Sequence, residues 1–350
     1  MQIEIKEQMP LHDEKGFITK EGWARKPYWQ YDRKKIKASK FRIKEWDYYL
    51  AISHKHGFGI ALTISDLGYL GFSSITFFDF NHQYYHQVDS LFFFPMGRLQ
   101  LPTISDEGLV TYKDKKININ VESHKLANET IQKKINFNSY FIKDFYKNRG
   151  IEGELTFTYP EKDDTICIAT SWKEKRTAFY YNQKINCMIA KGKVTIGSKI
   201  YEFDEKTDLA VLDWGRGVWT YKNRWYWSSL SSYIDGKRFG WNLGYGFSDR
   251  SSASENAIFL DGKLYKLDEV AFKYDPKNYL KNWKIVDNEG KLDIDFVPIL
   301  DRNSKSDFLV IKSIQHQVFG YFSGTIKIQE NQIIKFKNLL GFVEDVFNAW

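Results

Sequence analysis

The stretch FGIALTISDLGYLGFSSITFFDF, residues 58–80, sets the fold class. Two segments rich in apolar, β-branched and aromatic residues flank SDLG (65–68), the pattern of a β-hairpin. Its length and the charge of Asp66 argue against a membrane helix. The pattern recurs in KINCMIAKGKVTIGSKIYEF (184–203), where Gly192 and Gly197 read as turn or bulge positions. It returns in ENAIFLDGKLYKLDEVAFKY (255–274), with Asp261-Gly262 as a two-residue turn, and in FGYFSGTIKIQENQIIKFKNLLGF (319–342). Strands and turns therefore account for nearly the whole chain. HKLANETIQKKI (124–135) is the best candidate for a helix, and the acidic GFVEDVFNAW tail (341–350) reads as a terminal strand or a short helix.

Composition agrees with a β-rich protein. Phe, Tyr and Trp make up 17% of the 350 residues, and aromatic side chains fill pleated surfaces well. Lys and Arg number 51 against 44 Asp and Glu, a formal charge of +7 that is spread along the chain. The densest basic stretch, Arg33 to Lys37 with Lys40, Arg42 and Lys44, is interrupted by Ile36, Phe41 and Ile43 in a strand-like alternation. That pattern suits a solvated sheet face better than a nucleic-acid groove, so no nucleic-acid partner is expected. Cys167 and Cys187 sit among apolar neighbours without metal-ligand spacing and read as buried free thiols. The opening MQIEIKEQMP carries charges where a signal peptide needs an apolar run, and no span of 18 apolar residues occurs, so a cytoplasmic location without a membrane span is expected. Regular βα alternation, a dinucleotide-binding glycine fingerprint and a phosphate loop are all missing, which excludes the common parallel-sheet nucleotide enzymes.

The polar YPEKDDT (159–165) followed by SWKEKRTAFYYNQK (171–184) suggests a division into halves, 1–175 and 176–350. Each half holds enough strands for a closed or nearly closed antiparallel sheet.

The chemistry concentrates in LDWGRGVWTYKNRWYWSS (212–229) and GWNLGYGFSDRSSASEN (240–256). Strict alternation puts Leu212, Trp214 and Arg216 on one face and Asp213 and Gly215 on the other; a bulge at Gly215 or Gly217 would instead turn Asp213 and Arg216 to one site. Trp225 and Trp227 share a face. Gly240, Gly244 and Gly246 suggest close approach of backbone to backbone or to ligand. Asp213 and Glu255 are the candidate acid and base, because a desolvated carboxyl can hold its proton while a second stays ionised. Arg216 and Arg250 are candidates to orient a polar group, and Trp214, Trp225, Trp227 and Trp241 to line a pocket with Asn242 and Asn256. A satisfied ion pair pinning a sheet is the competing reading of the Asp and Arg. His316 in IQHQVFG and Arg98 in PMGRLQLP, a loop expected over a barrel mouth, are further ligand contacts; Glu344 carries a similar question. His54, His56, His82 and His86 have unspecific spacing, so no metal is assigned.

Several separated motifs, GWARKP (22–27), PMGRLQLPTISDEG (95–108), LDWGRGVWTYKNRWYWSS, GWNLGYGFSDRSSASENAIFLDGKLYKL (240–267) and the terminal GFVEDVF with its closing tryptophan, make the chain resemble the bacterial family known as domain of unknown function 2804. Ser254-Glu255-Asn256 stands where Thr-Glu-Asn is expected, a change that keeps the hydroxyl. The resemblance implies a lipocalin-like, calycin-type relationship, with kin similar to carotenoid hydratases. It therefore implies an all-β, antiparallel fold of two barrels or strongly curved sheets side by side. Fold alone does not identify a reaction. Three functions stay open: an acid–base enzyme without a cofactor (hydratase, isomerase, or glycoside-type lyase or hydrolase) on a small organic molecule, a barrel binding a lipid-like ligand, and a structural or interaction protein.

Overall fold

The computed structural model describes residues 2–308, 311–330 and 332–349; Trp350, the closing residue of the terminal motif, lies outside them. The protein is all-β, and among the described residues the one helical element is the 3-10 turn Arg33–Lys35. The first large sheet runs from Tyr84–Phe93 through Leu70–Asp79, Phe58–Asp66, Ile43–Ser53, Leu209–Val218, Lys175–Ile196, Arg149–Pro160, Thr130–Lys143 and Asn118–Lys125 to Gly108–Lys113. The second runs from Lys263–Lys266 through Ala257–Leu260, Lys237–Tyr245, Lys222–Ile234, Gln332–Ala349, Ile311–Gln329, Leu292–Phe308 and Trp283–Asp287 to Val270–Lys273. Both are antiparallel along these paths and strongly curved. Curvature brings strands far apart in the order together: Ser90 Oγ lies 2.7 Å from Tyr112 OH in the first sheet, and Phe272 N donates to Tyr245 OH at 3.1 Å in the second.

The hairpin at residues 58–80 forms as its sequence indicates, with Phe58–Asp66 paired to Leu70–Asp79. Asp66 fixes the turn by accepting from Gly68 N at 2.9 Å, while Gly68 adopts a φ of 88°. Asp261 and Gly262 both have positive φ (49° and 81°), the geometry of a type I′ hairpin turn. The segment 124–135 is not a helix. It is the end of one strand, a turn and the start of the next, because Ile131, Lys133, Ile135 and Phe137 alternate inward and pay for themselves in core contacts that a helix would scatter. The tail from Gln332 to Ala349 is a strand.

The chain crosses from the first sheet to the second between Val218 and Lys222. Residues 175 and 176, where a division was expected, open the strand Lys175–Ile196 instead. That strand pairs with Ile166–Trp172, Arg149–Pro160, Lys199–Phe203 and Leu209–Val218 and so holds the first sheet together. Each sheet has its own apolar interior. Phe77, Phe137, Phe157 and Trp214 lie in one, and Trp241, Trp283, Phe296 and Phe322 in the other. The convex faces meet in a seam of Leu50, Ile52, Phe78, Val211, Trp227, Phe319 and Phe342.

One device bends both sheets. Gly192 (φ 132°) and Gly324 (φ 154°) each sit at a kink of a long central strand, where an added Cβ would fall 2.1 Å from Glu154 O and 2.2 Å from Asp293 O. The neighbouring backbone cannot yield locally, and the φ is one that a side chain resists. Gly192→Ala and Gly324→Ala should each lower stability by about 1–3 kcal/mol, read as a drop in the thermal unfolding midpoint.

Candidate functional site

The seam carries a polar cluster whose arrangement follows from strand register. On the first sheet Tyr48, Asp213 and Lys184 are direct cross-strand partners on three adjacent strands, so their side chains share a face. The next row of that face is Trp46, Gly215 and Asn182, and the next after it Lys44, Gly217 and Tyr180. Gly215 leaves room for an aromatic neighbour: a Cβ there would meet the Trp46 ring at 2.1 Å. Trp46 in turn stacks on Tyr180 with ring centroids 6.0 Å apart.

The second sheet presents a matching row of Gly244, Trp227, Glu344, Gln317 and Arg302, again cross-strand partners in register. Gly244 makes way for the Glu255 carboxylate, which a Cβ would meet at 1.9 Å. The anticipated close approach at this glycine is thus to a side chain.

Across the seam the two rows form one network. Lys184 Nζ lies 2.8 Å from Asp213 Oδ2, 4.0 Å from Glu255 Oε2 and 4.0 Å from the centre of the Trp227 ring. Asn182 donates to Asp213 Oδ1 at 2.6 Å. Gln317 donates to Glu344 Oε1 at 2.7 Å and to Tyr48 OH at 3.0 Å, while Arg302 donates to Gln317 at 2.7 Å. Glu255 is buried, and its Oε2 has no hydrogen-bond partner. The Asp213 side chain keeps 12% of its surface, and Trp46, Trp225 and Glu344 are half-buried, so the cluster reaches solvent along that edge.

Burial raises the Glu255 carboxyl above its ordinary range; Lys184 opposes this and Asp213 adds to it. Burial likewise lifts Glu344 to about 7, against the attraction of Arg302 and Lys184. Burial and the nearby carboxylates raise the Tyr180 phenol. The geometry thus places two carboxyl groups held above the ordinary glutamate range beside the Asp213–Lys184 pair.

Other nominated residues lie elsewhere. The register of Leu209–Val218 against Ile43–Ser53 is unbroken, so the expected bulge is absent and Arg216 points away from Asp213. Arg216 is fully buried inside the first sheet, 4.0 Å over the Trp214 ring, paired with Asp47 at 3.0 Å and donating to Pro102 O at 2.8 Å. That last bond fastens the 95–108 loop across the first sheet's mouth, while Arg98 stays exposed on it. Trp241 is buried in the second sheet's interior. Asn242 accepts from Trp227 Nε1 at 2.7 Å and donates to Glu255 O at 2.9 Å, so it orients two members of the cluster. Asn256 ties Gly244 N to Asp268 O. His316 stacks on Tyr279 at 3.7 Å with Nδ1 2.8 Å from Asp301, at the mouth of the second sheet, and Arg250 lies over Tyr245.

The family profile for domain of unknown function 2804 matches residues 2–350. The chain belongs to this family. Two solved structures share its fold with the domain of unknown function 2804 chain. A protein of Nitrosomonas europaea assigned as AttH aligns with a TM-score of 0.52 at 11% identity, covering 87% of this chain and 92% of its own. Kievitone hydratase from Nectria haematococca aligns with a TM-score of 0.51 at 12% identity, covering 88% of each. No curated protein matches the sequence.

Lys184, Tyr180, Tyr48 and Gln317 were not picked out from sequence. A signal for two of them existed: in YYNQKI, Tyr180, Asn182 and Lys184 recur at period two and so share one face of a strand.

Glu344 supplies a pH test. Its folded pKa is raised, so between its ordinary carboxyl value and about 7 the folded chain holds a proton that the unfolded chain releases, and stability falls as pH rises through that window. Wild type minus Glu344→Gln isolates this group from Glu255 and the other titrating residues. The difference in unfolding midpoint should move steadily against wild type from pH 5 to 7.5, and a flat difference would mean that Glu344 is ionised throughout.

Proposed function

We propose that this protein is a cofactor-independent acid–base enzyme acting on a small organic molecule at the seam between the two sheets. The observation that carries the reading is the meeting of Asp213 and Glu255 at the ammonium of Lys184, with Glu344 in the facing row, Glu255 Oε2 without a hydrogen bond, and the Glu255 and Glu344 carboxyls raised above their ordinary range. A neutral carboxylic acid beside an ionised one is the minimal equipment for adding or removing a proton at one atom while a second proton moves elsewhere. Trp46, Trp225 and Trp227 give the edge of the seam an aromatic lining suited to a planar, largely apolar substrate.

Among acid–base reactions, addition or loss of water ranks first. In the addition direction, Glu255 gives its proton to one carbon of a double bond and Asp213 takes a proton from water as the water oxygen bonds to the other carbon. One H2O is added, and proton transfer from Asp213 back to Glu255 restores the starting state. Lys184, 2.8 Å from Asp213 Oδ2, holds that carboxylate in place. The fold likeness to kievitone hydratase, a hydratase by name, agrees with this class without identifying a substrate.

Carriage of an apolar ligand is the second reading. It is favoured by the apolar wall of the seam beyond the cluster, Leu50, Ile52, Val211, Leu230 and Phe342, whose side chains would have to part to admit a ligand because the gap among them is about 10 Å³. Incubation with a panel of unsaturated and hydroxylated aromatic compounds in 18O-water, followed by mass spectrometry, separates the two. The enzyme reading expects solvent oxygen in a product, reduced about 100-fold or more in Asp213→Asn and in Glu255→Gln, with ligand binding retained. Compounds that bind tightly and return unlabelled and unaltered would assign the seam to carriage.

A further inference from the structure

The basic stretch at residues 33–44 is not the sheet face that its alternation suggested. Arg33–Lys35 is a 3-10 turn, residues up to Arg42 are turns, and the strand starts at Ile43. The alternation fails because Ile36 alone of the early apolar positions is buried, while Phe41 is 47% exposed.

This segment packs beside two others at one end of the first sheet. Gly68 lies against the carbonyls of Lys40 and Phe41, Phe94 N donates to Tyr69 O at 2.9 Å, and Gly97 sits against the Arg33 side chain. Together they expose a run of large apolar side chains. Leu91 is 61% exposed, Phe93 74% and Phe94 50%, and the Phe94 ring is 6.2 Å from Phe41 and 6.1 Å from Phe93. Contiguous exposed aromatics of this kind are costly in water and mark a contact surface. Four lysines of the adjoining segment lack ion pairs. Lys34, Lys35, Lys37 and Lys40 are exposed and, among the described residues, none has an ion-pair partner, whereas Arg33 is committed to Glu45.

We propose that this end of the first sheet docks on an anionic lipid bilayer, with Phe41, Phe93 and Phe94 entering the headgroup region and Lys34, Lys35, Lys37 and Lys40 facing the lipid phosphates. Exposed apolar side chains beside a segment of lysines without ion pairs match both features of such a surface, an apolar layer beneath a plane of negative charge. A protein partner of similar apolarity would leave four lysines to be matched one by one. A nucleic acid would gain little from the exposed Leu91, Phe93 and Phe94. The docking end adjoins the tryptophan edge of the seam, since Arg42 donates to the carbonyl of Trp219 and Trp219 packs on Trp225 with centroids 5.4 Å apart. The proposal does not depend on the seam being catalytic.

Vesicle flotation with the full chain tests it. Wild type should float with mixed phosphatidylcholine–phosphatidylglycerol vesicles and not with phosphatidylcholine alone, and added salt should release it. Lys34→Glu with Lys35→Glu should weaken partitioning by at least about fivefold for each cation lost, and Phe93→Ser with Phe94→Ser by about tenfold or more. All four positions are exposed, and unchanged unfolding midpoints would show that the variants are folded. Absence of wild-type binding to the anionic vesicles, or binding indifferent to both pairs of substitutions, overturns the proposal. So does binding to duplex RNA in place of vesicles, or a dimer in sedimentation equilibrium that Phe93→Ser dissolves while vesicle binding stays absent.

Discussion

The contact of Lys184 with Asp213 sets the terms for everything around it. Both belong to central strands of one sheet and are cross-strand partners, so their meeting is dictated by register rather than by loop conformation. They lie where a second sheet covers the first, so the pair is largely withdrawn from water. A buried pair of this kind stabilises little on its own, because desolvation offsets most of the attraction. Its consequence is electrostatic: one ammonium is placed where three carboxyl groups converge, and it cannot neutralise all of them. Burial holds Glu255 and Glu344 above the ordinary glutamate range, and the attraction of Lys184, joined by Arg302 at Glu344, does not cancel it.

Glycine spacing makes that crowding physically possible. Asp213, Gly215 and Gly217 share the seam face of one strand, and the absent side chains let the Trp46 and Trp219 rings lie close over it. Gly244 does the same on the facing sheet for Glu255. The Asp-Trp-Gly-Arg-Gly motif thus serves two environments at once. Its odd positions build the seam, while Trp214 and Arg216 fill the first sheet's interior and anchor the 95–108 loop.

Much of this was legible in the chain. Period-two apolarity gave the antiparallel strands, Asp261-Gly262 its turn, and alternation alone placed Asp213 opposite Arg216. Pairing Asp213 with Glu255 needed only the inference that two polar-rich motifs would converge, and they do, through Lys184. What stayed hidden depends on register between distant strands. Glu344 meets Gln317 and Trp227 because three strands align at one row, and no local pattern announces that alignment. The misreading of residues 124–135 and 33–42 had a local cause instead. Short apolar and polar alternations suit a strand, a turn or a helix, and only burial decides among them.

Scaffolding alone accounts poorly for the seam's composition. Apolar residues of similar volume would join two sheets at less cost than three acids and a lysine, as they do a few residues away at Leu50, Val211 and Phe342. The cluster is also unevenly satisfied: Asp213 has two partners through its two oxygens, while Glu255 Oε2 has none. A buried carboxyl oxygen with no hydrogen bond and only a lysine 4.0 Å away, next to a well-held carboxylate, is more than a sheet joint needs, and it agrees with the proton transfer proposed for the seam.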